Sequence, residues 1–300
     1  MLIPPPHQDW GGRAVVGVLL AGALLIGTLA ATTHGTRLVS GHALPASGVD
    51  LTRGGTSSEK GTDGRPAPKE SSQLASNPLL ADGVTLTEVT CSLPALGRAP
   101  EQLAAFYKAE VDCLAEAWKP ALDKANEPAL SATVQVTLPD HSACGKPPSK
   151  DEAVAYYCGG DTTIYAPTEW MLDDAGQERA RHLATIAHEY GHHVQRESGI
   201  LSASADKMTS DDESSPADQE LVRRIELQAN CFGAVFIAAA AGRGAISTSL
   251  ANATVADYGR ADDSDTHGSR KHQLKWAKAG FAGKSPSACN TWAASAADVT

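Results

Sequence analysis

The sequence predicts an α+β domain, mainly helical with a small sheet, behind an N-terminal transmembrane helix. Three observations carry this expectation. Apolar residues recur at helical spacing through long segments, notably 183–194 and 221–236. Strand-like patterning is confined to two short stretches, 133–138 and 162–166. Ahead of both, residues 14–31 run without a single charge.

Residues 1–13 are a short proline-rich tail ending at Arg13. With Thr32 and Thr33, the apolar run 14–33 reaches the roughly 20 residues that cross a bilayer. Signal-peptide cores are shorter, about 7–15 residues, so an uncleaved anchor is expected, with a cleaved signal segment as the alternative. Residues 34–77 are rich in Gly, Ser, Thr and Pro and read as a flexible linker. Residues 78–300 then form one domain, long enough for a real hydrophobic core.

Within that domain Pro100 suits a first helical turn. The stripe Leu103, Phe106, Val111, Leu114 and Trp118 continues the helix to an end near Pro120. The two strands follow, the second just before a long helix for which Asp173 is the candidate cap. The polar, acidic stretch 198–218 reads as a solvated loop. The helix 221–236 passes into an alanine-rich segment that ends near Gly242-Arg243-Gly244. A last helix runs from about 269 to 281 with Leu274, Trp276 and Phe281 among its apolar residues. The formal net charge of −10 argues against a nucleic-acid partner.

The chemistry concentrates in His188-Glu189-Tyr190-Gly191-His192. On a helix, residues four apart project side by side, so His188 and His192 can share one metal ion. Zn²⁺ is the usual choice for imidazole ligands in a hydrolase. Glu189, beside the first histidine, is placed to take a proton from the attacking water. A catalytic zinc site wants a third protein ligand. A histidine six residues past the second is ruled out, because Ser198 stands there. Glu226 is the candidate instead. It shares a helical stripe with Val222, Ala229 and Gly233, small or apolar residues suited to close packing, where a lone carboxylate is costly unless it is paired or metal-bound.

At these residues the sequence resembles the neutral zinc metallopeptidases of bacterial envelopes. The resemblance rests on the motif 188–195, on Glu226-Leu227-Gln228-Ala229-Asn230-Cys231, on Thr266-His267-Gly268-Ser269 followed by Arg270, and on Cys289-Asn290-Thr291-Trp292. It extends over roughly 77–292. It implies a zincin-like peptidase domain with one catalytic Zn²⁺ held by His188, His192 and Glu226, and a peptide or protein substrate. By the same likeness the strand before the metal helix would line the cleft. One departure matters: Asn230 stands where the family has an aspartate.

The expected mechanism has Glu189 as general base and His267 steadying the oxyanion, with Tyr258 as the alternative for that second role. A rival reading is a peptidase-like scaffold that keeps the metal without turnover, to which Asn230 lends weight. Another is a zinc hydrolase acting on something other than peptide. Six cysteines, with no Cys-x-x-Cys pair, argue for disulfides outside the cytoplasm rather than a second zinc site. Proximity and the resemblance together favour Cys91–Cys113, Cys144–Cys158 and Cys231–Cys289. A catalytic domain outside the membrane, tethered by the N-terminal helix or secreted if that helix is cleaved, is the resulting expectation.

Overall fold

In the computed structural model, which describes residues 74–209 and 215–300 together with the backbone of Ala43–Leu44, the first helix begins at Pro100 as expected. This helix, α1 (Pro100–Ala125), does not stop at Pro120. Proline costs about 3 kcal/mol inside a helix. Pro120 faces solvent, while Ala121, Leu122 and Ala125 beyond it are buried in the core. Asn126, in the left-handed conformation, ends the helix instead.

The sheet is small, as predicted, but its members differ from the expectation. Strand β1 (Ala43–Leu44) falls inside the stretch read as linker, and β2 (Thr133–Gln135) is only the first half of the 133–138 segment. The main chain turns away after Gln135 because the Val136 carbonyl accepts from the amide and hydroxyl of Thr168, at the start of the next helix. Strand β3 (Tyr156–Cys158) was not foreseen. Its three residues are all buried, so it lacks the alternation that marks a half-exposed strand. It pairs antiparallel with β4 (Thr163–Tyr165), β2 lies parallel to β4, and the order is β1-β3-β4-β2.

Asp173 does not cap the metal helix. It sits inside α2 (Thr168–Ala175) and pairs with Lys150, while the long helix α3 (Arg179–Glu197) starts after Glu178 with no side-chain cap. The stretch 198–218 contains a short helix, α4 (Ile200–Ala205), besides loop. Helix α5 (Pro216–Ala240) starts earlier than its apolar stripe suggested: Ser215 accepts from the Asp218 amide, and Pro216 occupies the first turn. Helix α6 (Thr248–Asp257) follows the glycine turn and was not anticipated, and α7 (Arg270–Gly283) is the expected last helix.

Helices α3 and α5 form the centre of the described domain, and every residue of α3 from Ala180 to Gln195 is buried. Helix α7 lies against α5 so closely that a side-chain carbon at Gly280 would come within 2.3 Å of the Cys231 carbonyl. A buried guanidinium ties three helices: Arg181 on α3 bonds Asp174 on α2 (2.6 and 3.0 Å) and Asp257 on α6 (3.0 Å). Removing the guanidinium would take away the cation that both buried carboxylates share, the costly way to break such a group. The disulfides are Cys91–Cys113, Cys144–Cys158 and Cys231–Cys289, the pairing favoured above. The apolar run 14–33 lies outside the described residues, among which no helix is long and apolar enough to cross a membrane.

Candidate metal centre

Two glycines set the geometry. A side-chain carbon at Gly191 on α3 would lie 2.8 Å from the Ala229 carbonyl of α5. One at Gly233 would lie 3.1 Å from the Ala187 carbonyl and 2.3 Å from the Tyr258 hydroxyl. The two backbones therefore meet at Gly191–Ala229 and at Ala187–Gly233. Glycine costs about 1 kcal/mol against alanine in a helix interior, and here it permits the crossing. The side chains on either side of these contacts, His188 and His192 on α3 and Glu226 and Asn230 on α5, are forced together.

The result is a tight, buried cluster. Nε2 of His188 and Nε2 of His192 lie 3.1 Å apart, and each is within 3.3 Å of Glu226 Oε2. The ligand atoms of the three residues all lie within 4.8 Å of one another. Each imidazole is oriented from behind. His188 Nδ1 donates to Asn230 Oδ1 at 2.8 Å, and His192 Nδ1 donates to Gln195 Oε1 at 2.9 Å. Both Nε2 atoms are thereby left to face inward.

His267 joins from a separate loop. Gly268, at φ +73°, closes a tight turn in which its amide bonds the Ser264 carbonyl at 2.8 Å. Ser264 Oγ accepts from the Thr266 and His267 amides. This turn puts His267 Nε2 at 3.2 Å from Glu226 Oε2, with Nδ1 against the Thr266 hydroxyl at 3.0 Å. His267 and Thr266 also line an open cleft of about 1040 Å³, whose walls include Leu138, Trp170, Pro147 and Lys150. Leu138 is the one large apolar side chain exposed among the described residues.

Burial alone would raise the Glu226 carboxyl, but the imidazoles of His192, His267 and His188 around it hold it well below the usual carboxylate range. Burial lowers His188 against the pull of Glu226. Two imidazole nitrogens and one carboxylate oxygen, converging in a buried position with both Nδ1 atoms engaged, are a donor set that fits Zn²⁺.

The sequence pattern of the family described as "Putative neutral zinc metallopeptidase" matches residues 98–292. The chain belongs to this family. Over 155 residues it is 31% identical to the uncharacterized protein YpfJ of Escherichia coli K12, covering 46% of this chain and 53% of that one. Over 213 residues it is 28% identical to the uncharacterized protein Rv2575 of Mycobacterium tuberculosis H37Rv, covering 61% and 67%. An equal match is found in the uncharacterized protein Mb2605 of Mycobacterium bovis. The chain thus spans about half the length of its Escherichia coli relatives. No solved structure matches it.

The family motif accounts for the remaining residues unevenly. Glu189 is fully buried on α3 next to His188. Tyr258 is engaged elsewhere, its hydroxyl donating to the Ala184 carbonyl at 3.0 Å where α6 meets α3. That bond makes it a packing residue rather than a donor facing the cleft. His182 and His193 are structural: His182 bonds the Tyr107 hydroxyl and the Gly176 carbonyl. His193 bonds the Tyr157 hydroxyl and the Leu130 carbonyl, and burial pushes it down to about 4. Gln195 and Gln228 stand behind His192, and no feature of the sequence signalled this part in the site.

Proposed function

We propose that the protein is a zinc-dependent endopeptidase of the cell envelope, with His188, His192 and Glu226 holding one zinc ion and Glu189 acting as general base. The observation that carries this reading is the convergence of three buried ligand side chains from α3 and α5, with a glutamate adjacent to the first of them. Zinc, when bound in such a site, supplies Lewis acidity that makes water nucleophilic near neutral pH. Glu189 takes the proton of the attacking water and returns it to the leaving amine. His267, between Glu226 and the cleft, is the candidate to steady the oxyanion that develops on the substrate carbonyl. An open cleft with an aromatic and a proline-rich wall supports an extended peptide as the substrate, and supports cleavage within a chain. Envelope placement is supported by the uncharged run 14–31 together with three disulfides.

A second reading, a metal-holding scaffold without turnover, is favoured by one observation: the support for His188 is the uncharged Asn230. Zinc content and cleavage of a broad peptide library by the parent, Glu226→Ala and Glu189→Gln separate the two. Glu226→Ala is expected to lose both zinc and cleavage. Glu189→Gln is expected to keep zinc and lose about 10²–10⁴ in rate. A parent that binds zinc and cleaves nothing supports the scaffold, and full zinc in Glu226→Ala places the third ligand elsewhere.

A further inference from the structure

The two histidines are held from behind in different ways. His188 leans on Asn230 directly, whereas His192 stands at the end of a chain of amides. Gln195 accepts from His192, and its own nitrogen donates to the Ile225 carbonyl at 2.8 Å and to Gln228 Oε1 at 3.1 Å. Gln228 donates in turn to the Cys289 carbonyl at 3.0 Å and accepts from Trp292 Nε1 at 3.3 Å. Gln195 and Gln228 are wholly buried.

The main-chain carbonyls fix the sense of every bond, because a carbonyl only accepts. Gln228 must present nitrogen to Cys289, so its oxygen faces Gln195. Gln195 must present nitrogen to Ile225 and to that oxygen, so its own oxygen faces His192. The imidazole is then obliged to carry its proton on Nδ1, and its Nε2 lone pair points at the cluster with Glu226.

We infer that Gln228 is a positioning residue for the metal centre: acting through Gln195, it fixes the tautomer and orientation of His192 and couples them to the tail segment held by Cys231–Cys289. The inference rests on the zinc reading above. It makes the tail, whose Cys289 lies 61 residues past Gln228 in sequence, part of the site's support.

The test is a double-mutant cycle in the purified full chain with two readouts besides activity. Zinc affinity is measured by competition with a chromophoric chelator, and ligand geometry by the visible absorption of the Co²⁺-loaded protein, for the parent, Gln228→Leu, Gln195→Leu and the double variant. Thermal unfolding of each reports the fold. Gln228→Leu is expected to weaken zinc by about 10-fold, the low end of the range for such supporting partners, and to shift the Co²⁺ bands. In the Gln195→Leu background the same change should alter affinity by less than about twofold, because its route to His192 is already cut. Affinity equal to the parent in Gln228→Leu, or two effects that multiply in the double variant, overturns the inference. Should Gln228→Leu fail to fold, Trp292→Phe removes one donor to Gln228 at the half-buried end of the chain. A smaller loss of affinity that disappears in Gln195→Leu supports the inference, and unchanged affinity overturns it. A parent that binds no zinc overturns the metal reading itself, and this inference with it.

Discussion

His188 and His192 owe their usefulness to what lies behind them as much as to their own spacing. Their supports are amide oxygens, which accept a hydrogen bond without adding charge. A carboxylate in the same place would raise the basicity of the imidazole. Asn230→Asp is therefore expected to tighten zinc binding by up to about tenfold in a chelator competition, and unchanged or weaker affinity would mean the Asn230 oxygen does not govern His188. At this scale the grouping of His188, His192 and Glu226 was legible. The pair of histidines follows from helical spacing, and Glu226 from a carboxylate stranded on a stripe of small residues. His267 was reached only through resemblance, since nothing local marks a histidine before a glycine as one that faces a carboxylate 41 residues away. The amide chain behind His192 was not legible at all. Its acceptors are main-chain carbonyls at Ile225 and Cys289, and main-chain groups are the same in every sequence.

Between elements, the crossing of α3 and α5 fixes the distances among His188, His192 and Glu226, and Gly191 is at one of the two places where the backbones meet. Gly191→Ala puts a methyl group 2.8 Å from the Ala229 carbonyl, too close for either backbone to keep its place. The expected outcome is a loss of about 1–3 kcal/mol in denaturant unfolding, together with weaker zinc binding as Glu226 moves off the histidines. An unchanged zinc affinity in a destabilised Gly191→Ala would show that the ligands tolerate a wider crossing. Helix α1 was readable because its buried stripe repeats every three to four residues against an exposed face. What escaped was short or fully enclosed. Strand β3 has no exposed face to alternate with, and α6 has too few large apolar residues among its ten to show a period. The continuation of α1 past Pro120 depended on tertiary burial of the turn beyond it, which overrides the local penalty.

For the molecule as a whole, buried neutral histidines make stability depend on pH. His182 is enclosed between the Tyr107 hydroxyl and the Gly176 carbonyl, and burial lowers its pKa below the ordinary 6.5. Below that value the unfolded chain binds a proton that the folded chain refuses, so stability falls as the pH drops from about 6.5. Each such histidine contributes a slope of up to about 1.4 kcal/mol per pH unit. Denaturant unfolding of the parent at pH 7 and pH 5 should show this loss, and His182→Gln should reduce it. An identical pH dependence in the variant would assign the effect to other groups. The disulfide Cys144–Cys158 has a consequence of a different kind. Lys146, Pro147, Pro148, Ser149, Lys150 and Glu152, one wall of the cleft, all lie between its two cysteines. That wall is partly exposed, so its backbone is open to another copy if this chain cuts peptides. A cut there releases nothing, because both new ends stay joined through the bridge. Clipped and intact molecules should therefore migrate together without reductant and separate into fragments only with it, so preparations of apparently intact protein can hide a population with a severed cleft wall.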